Sequence, residues 1–249
     1  MNNTFKEIQF ITIIGKGNVA WQYNNAMANL GINVNCISSR GEIREEDLGS
    51  DLIIIAVLDK AIEEVAGKLR IKDSILVHTS GTVDIEVLNK SSENYGIFYP
   101  LQTITKGIQI NFSDVPLCID ANNENTLACL KHLAKRLTDK VYEINTSQRQ
   151  ELHLAAVFAN NFTNHLLGIS KQILERENIP FDIIFPLINQ TIEKAKQNNP
   201  FDVQTGPAKR QEMAIMENHK SRLDDDEREI YEILSNKIIK KQDSLKDNK

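Results

Sequence analysis

The sequence predicts an α/β protein: a doubly wound parallel sheet in the N-terminal part, followed by an all-α C-terminal part. Three observations predict it. Short apolar runs alternate with helical patterns over the first half. A glycine-rich turn, Gly15-Lys16-Gly17-Asn18-Val19-Ala20, separates the first strand from the first helix. Strand patterns stop near residue 147.

Phe10 to Ile14 is a β-branched run that ends at Gly15. Val19, Tyr23, Ala26, Met27 and Leu30 then recur at helical spacing, and Gly31 closes that helix. Strands are predicted at 34–37 and 52–57. The second of these is apolar throughout, as a central strand buried on both faces must be. A helical link over 60–70 leads to a strand at 75–77, and a helical stretch over 84–90 leads to one at 97–99. Strands at 117–119 and 141–144 flank a helix over 124–137. From Gln148 onward the pattern is helical. One long helix is predicted over 148–176, with a break at Pro180. A helix over 183–197 has Asp182 as its expected N-cap and Pro186 in its first turn. Pro200 and Gly206-Pro207 bound a loop, and helices over 209–220 and 225–241 complete the chain. Residues 242–249 are polar and expected to fray. The expected domains are therefore 1–147 and 148–249.

Composition narrows the partners. The net charge of −5, without a strong basic block, disfavours nucleic acid. The first residues lack the pattern of a secretion signal, and no run approaches the ~18 apolar residues of a membrane span. A soluble cytoplasmic protein is expected. Cys36, Cys118 and Cys129 are widely spaced and odd in number, which fits neither a zinc site nor a disulfide framework. No metal site is expected, and the thiols should be reduced.

The glycine-rich turn is G-x-G-x-x-A in the context that a Rossmann dinucleotide site requires. Gly15 permits the tight turn, Gly17 lets backbone approach a pyrophosphate, and Ala20 keeps the helix close to the sheet. The helix N-terminus offers N–H groups and a positive dipole, so Asn18 and Val19 also belong to the expected cofactor contacts. At the end of the second strand an NAD site usually has an acid. Ser38, Ser39 and Arg40 stand there instead, two hydroxyls and a guanidinium suited to the 2′-phosphate of NADP. A plain polar turn is the other reading of those three residues.

Residues 152–170 contain no Asp, Glu, Lys or Arg, which predicts burial, yet the stretch carries His153, Asn160, Asn161, Asn164 and His165. At ~100° per residue, Asn160 and Asn164 each fall about 20° from His153, on one helix face. Such a face either lines a substrate cleft or makes satisfied hydrogen bonds to neighbouring helices. The fourth strand ends in His78-Thr79-Ser80-Gly81 and the fifth runs into Tyr99-Pro100-Leu101-Gln102-Thr103. Both lie at the strand ends where open α/β sheets bind ligands. His78 is a candidate for proton transfer and Ser80 for holding a substrate oxygen, although hydroxyl caps of a turn explain the same residues. Asp59 is an edge candidate that also suits a helix cap. Gln204 and Thr205, in a loop with Arg210, suit either an anion or a simple turn.

Together these segments resemble a bacterial family that joins a Rossmann-like domain to a helical C-terminal domain of unknown function. Its members are often provisionally named NADP oxidoreductases. The resemblance rests on GKGNVA, SSR, VHTSG, YPLQT, QRQELHLAAVFANNFTNHL, the Pro-Leu pair at 186–187 and QTGPAKR, and spans Gly15 to Arg210. More distantly the layout is similar to pyrroline-carboxylate reductases, F420-dependent NADP reductases and β-hydroxyacid dehydrogenases. In the last group a catalytic Lys precedes an Asn pair by three residues. Here Val157 holds that place before Asn160-Asn161, so hydroxyacid chemistry is in doubt. The resemblance also implies a homodimer formed through the helical domain.

The expected function is hydride transfer between NADP(H) and a small polar substrate bound between the domains. His153 and His78 are the candidate proton-transfer groups. Ser80, Asn160, Asn164, Gln204 and Thr205 are the candidate substrate contacts. The alternatives are an NADP(H)-sensing regulator without chemistry, and an interaction protein with a relic nucleotide fold.

Overall fold

The computed structural model describes residues 7–105 and 107–247. By packing, the chain divides into two compact units, Met1–Ala159 and Asn160–Lys249. The first is a seven-stranded sheet in the order β2-β1-β3-β4-β5-β6-β7. The strands are β1 (Phe10–Ile14), β2 (Asn33–Ile37), β3 (Leu52–Ile55), β4 (Ile75–His78), β5 (Tyr95–Pro100), β6 (Leu117–Ala121) and β7 (Val141–Glu143). Helices α1 (Asn18–Asn29), α2 (Asp59–Gly67) and α3 (Glu124–Leu137) pack on it. This is a Rossmann-like architecture. The order reverses between β1 and β3, which opens the crevice where such sheets take ligands.

The core lies on both faces of the sheet. Ile11, Ile13, Tyr23, Met27, Ile54 and Phe98 belong to one cluster, and Ile14, Ile53, Ile55, Ile62 and Ile97 to the other. Alternate residues of β3 thus serve opposite faces, which explains its unbroken apolar sequence. Two details differ from expectation. β6 runs antiparallel to β5, pairing Tyr99 with Cys118. The 84–90 stretch is only a single 3₁₀ turn, Ile85–Leu88, capped by Asp84.

The helical run after β7 begins at α4 (Thr146–Ala156). Asn145 and Gln148 cap it reciprocally through side chain and backbone. A π-helical segment, Val157–Phe162, then leads to α5 (Thr163–Glu175). The second unit continues with α6 (Phe185–Gln197), α7 (Pro207–Arg210), α8 (Met213–Lys220) and α9 (Asp225–Asp247). Asp182 sits inside a 3₁₀ turn instead of capping α6, whose cap is Ile184. Gln211, at φ 56°, divides the predicted 209–220 helix into α7 and α8. Residues 242–247 are helical where fraying was expected, because Gln242 donates to the Phe201 carbonyl and Asp243 accepts from Gln211. The last two residues lie outside the described set.

The burial predicted for 152–170 does not occur: none of these residues is buried. Phe158 is 64% exposed, and farther on Ile183 and Leu187 are 65% and 69% exposed. The lack of charge in this stretch therefore marks an uncharged outer face, with exposed Phe158 and Phe162 beside exposed Asn160 and Asn164, not a core helix of the single chain.

Candidate functional site

The C-terminal ends of β1, β2 and β3 enclose a cleft of about 1090 Å³, and Gly15, Gly17, Asn18, Val19, Ser38, Ser39 and Arg40 all line it. Gly15 has φ +141°, and a Cβ there would lie 2.1 Å from the Ala56 carbonyl oxygen. The turn thus presses on the end of β3 as only glycine allows. At Gly17 the situation is opposite. An added Cβ would meet nothing within 4 Å and would enter open space above the turn. Gly17 caps α1 with no side-chain hydrogen bond, and the first turn of α1 has no acid. Its N–H groups are left for an anionic ligand. Lys16 and Arg40 line the same cleft, while Lys68 is paired with Glu64 at 2.7 Å. The donors, the two cations and the space that a Cβ would fill suit a phosphorylated dinucleotide. Asn18 also donates to the Ile104 carbonyl, and the buried Gln22 holds Ile108 and Ile110, so α1 anchors the loop that leaves β5.

Farther along the same sheet edge, β4 and β5 bring together residues remote in sequence. The Tyr99 hydroxyl lies 3.3 Å from His153 Nδ1, across a gap of 54 positions. Gly81 packs against both, for a Cβ there would stand 2.8 Å from His153 Nδ1 and 2.9 Å from Tyr99 Cζ. Tyr99 and His153 are each half-buried. Burial, with Cys118 and Asp59 nearby, pushes the Tyr99 phenol up to about 12, against a smaller opposing effect of Arg149. The Gln150 amide donates to the Thr82 carbonyl at 2.8 Å, and Leu152 packs on the core beside it. These contacts seat α4 on the turn after β4 and so fix His153 over Gly81.

His78 and Ser80 are both buried and build this turn. The Ser80 N–H donates to His78 Nδ1 at 3.2 Å. The Ser80 hydroxyl accepts from the N–H groups of Thr82 and Val83. Asp59 accepts from the Thr82 hydroxyl at 2.7 Å and ties the start of α2 to the same turn. Burial first and the Arg149 charge second bring His78 down to about 4, so its ring is neutral near pH 7.

Asn160 and Asn164 are exposed in the second unit, whereas His153 belongs to the first. The π-helical segment between them has i→i+5 bonding, so a constant 100° step does not describe the run that joins them. Gln204, half-buried, donates to the Thr205 carbonyl, and Thr205 is exposed. Arg210 is engaged by Glu212 through two hydrogen bonds, at 2.9 and 2.8 Å, and does not stand open for an anion. Among the described residues no group of three or more His, Cys, Asp or Glu could hold a metal ion, and no helix is long and apolar enough to cross a membrane.

Two residues of this region had no role assigned to them from the sequence. Tyr99 stood in a strand-end run without a partner to distinguish it. Arg149, in the polar first turn of a helix, gave no signal of its complete burial.

Residues 115–238 match the family model described as Domain of unknown function (DUF2520). A crystal structure from Bacteroides fragilis, of a protein provisionally named an NADP oxidoreductase, is 31% identical. It matches over 94% of this chain and 98% of that one, with a TM-score of 0.85. A protein from Thermotoga maritima matches at 19% identity over 95% and 99% of the two chains, TM-score 0.66. A reductive aminase from Aspergillus terreus, in complex with NADPH and ethyl levulinate, matches at 12% identity over 94% and 93%, TM-score 0.68. The last two share the fold. Comparison with curated proteins finds no match.

Proposed function

The chain belongs to the family of the Bacteroides fragilis protein and carries the DUF2520 domain over residues 115–238, and from that premise we propose that it is an NADP(H)-dependent oxidoreductase acting on a small polar substrate. The observation that carries this reading is the cleft over Gly17, open on the side where a pyrophosphate approaches and flanked by Ser38, Ser39 and Arg40 in place of an acid. Gly15, Gly17, Asn18 and Val19 would hold the pyrophosphate, and Ser39 and Arg40 the 2′-phosphate. Bound NADP(H) would supply the hydride.

The protein's own part is to orient the substrate and move a proton. The Tyr99–His153 pair fits that task, since both groups lie at the ligand-binding edge of the sheet and are open on one side. His78 serves better as a neutral support of the Ser80–Val83 turn than as the proton carrier. A polar double bond, C=O or C=N, is the substrate class these groups suit, because its reduction needs one hydride and one proton. The exposed apolar residues of the helical unit, Ile183 and Leu187 among them, support assembly with a second copy. Sedimentation would test that separately.

The reading is tested by thermal shift and turnover. NADPH at about 100 times its dissociation constant should stabilise the protein by about 2.7 kcal/mol. A panel of small ketones and imines should then oxidise it. No thermal response to NADPH would overturn the assignment. Binding without turnover would leave an NADP(H)-sensing regulator.

A further inference from the structure

The first unit buries one full positive charge that the site as described does not use. Arg149, in the first turn of α4, is 0% exposed. Its Nη2 donates to the Val83 carbonyl and, at 3.5 Å, to the Thr146 hydroxyl. Its Nε and Nη1 have no hydrogen-bond partner among the described residues, and His78 Nε2 is buried in the same state. A guanidinium buried without a carboxylate partner is costly, and a core seldom keeps one without a use for its charge. Replacing it with an apolar side chain would remove that cost.

Its position suggests the use. Arg149 lies one helical turn before His153, whose Nδ1 faces the Tyr99 hydroxyl. Tyr99 and Cys118 are register partners on β5 and β6, and both feel the Arg149 charge, as do Asp120 and Asp84. Around the Tyr99 phenol stand His153 and Arg149 from α4, Cys118 from β6, Asp59 from the start of α2 and Tyr23 from α1. Cys118 and Asp59 oppose ionisation of the phenol, and Arg149 favours it.

Resting on the oxidoreductase reading, we infer that Tyr99 is the proton donor of this site and that Arg149 is a positioning residue whose buried charge balances the phenolate formed when Tyr99 gives its proton away. As the substrate carbon accepts the hydride from NADPH, the Tyr99 O–H bond breaks and its proton bonds to the substrate oxygen or nitrogen. The phenolate then takes a proton from His153 Nδ1, and His153 is reprotonated by solvent. The double bond thus gains one proton, from Tyr99, and one hydride, which bound NADPH would supply with its two electrons.

The test needs no cofactor. Position 99 is replaced by a ring-fluorinated tyrosine, and its ionisation is followed by fluorine NMR in the full chain. Arg149→Gln keeps a donor for the Val83 carbonyl but loses the charge. Arg149→Met loses both, and Arg149→Lys keeps the charge. Expected is a rise of about 0.3 pH unit or more in the phenol midpoint for Arg149→Gln and Arg149→Met, about a twofold fall in its ionisation constant. The lysine variant should titrate near the parent. An unchanged midpoint in either neutral variant, with folding confirmed by denaturation, would overturn the inference. A parent protein whose melting ignores NADPH would instead sink the oxidoreductase reading, whatever the phenol does.

Discussion

The Tyr99 hydroxyl and His153 Nδ1 meet at 3.3 Å because Gly81 has no side chain to keep them apart. The contact joins the end of β5 to α4 over the turn that follows β4. It is the one place at the strand edge, among the described residues, where two half-buried proton-carrying side chains touch.

Gly81→Ala tests that relationship. The new methyl would stand 2.8 Å from His153 Nδ1 and 2.9 Å from Tyr99 Cζ, and both are side-chain atoms that rotation can move. The expected stability loss is modest, about 1–2 kcal/mol. The hydrogen bond should open, moving the nitrogen NMR signal of His153 Nδ1, and turnover should fall. A His153 signal that stays in place would show that the two rings do not depend on Gly81.

Gly15 and Gly17 should respond in opposite ways. Gly15→Ala puts a methyl 2.1 Å from a backbone oxygen at φ +141°, and neither strain can be relieved by a side chain. It should cost more than about 3 kcal/mol. At Gly17 an added Cβ meets nothing within 4 Å and φ is an ordinary −82°, so Gly17→Val should cost the fold about 1 kcal/mol or less. Yet its methyls fill the open side of the turn, and NADPH binding should vanish. Denaturation and calorimetric titration of both variants check this. Full NADPH affinity in a folded Gly17→Val protein would remove the cofactor from this cleft.

Arg40 should set the choice between cofactors. If it pairs with a 2′-phosphate, Arg40→Ala loses a charge-assisted contact of about 1.5–3 kcal/mol. That is roughly ten- to a hundredfold in NADPH affinity. NADH affinity should hardly change. Titrations must share one ionic strength, since the pair is exposed and screened by salt. An equal loss for both cofactors would count against the assignment.

The strand edges and the glycine turn were legible because side-chain period and small residues write them directly into the sequence. The direction of β6 was not, since a short apolar strand reads alike in either sense. Asn145 and Gln148 form a capping box that does mark the start of α4 at Thr146, two residues ahead of the predicted helix. The π-helical turn at Val157–Phe162 left no such mark, and it spoiled the angular count that grouped His153 with Asn160 and Asn164. The absence of charge in 152–170 predicts burial, but the chain by itself leaves the whole stretch exposed or half-buried. Tyr99 and His153 were each visible. Their meeting depends on 54 residues of intervening chain, which local pattern does not encode.

His78 gives a pH signature with a definite sign. Its pKa falls from 6.5 to about 4 in the folded protein, chiefly by burial and then by the Arg149 charge. Between those values the unfolded chain binds a proton that the folded protein refuses, so stability rises with pH through this window. The contribution is complete above about 6.5 and is lost as pH falls toward 4. At about 1.36 kcal/mol per unit, the loss across the window is about 3 kcal/mol. His78→Asn keeps an acceptor for the Ser80 N–H but cannot titrate. The difference between parent and variant isolates His78 from the carboxylates, which also protonate as pH falls. Denaturant midpoints taken in steps from pH 7 to pH 4 should therefore converge, with the parent losing more than the variant. Parallel curves would mean that His78 can accept its proton in the folded state, and that the turn after β4 is more open to solvent than its burial indicates.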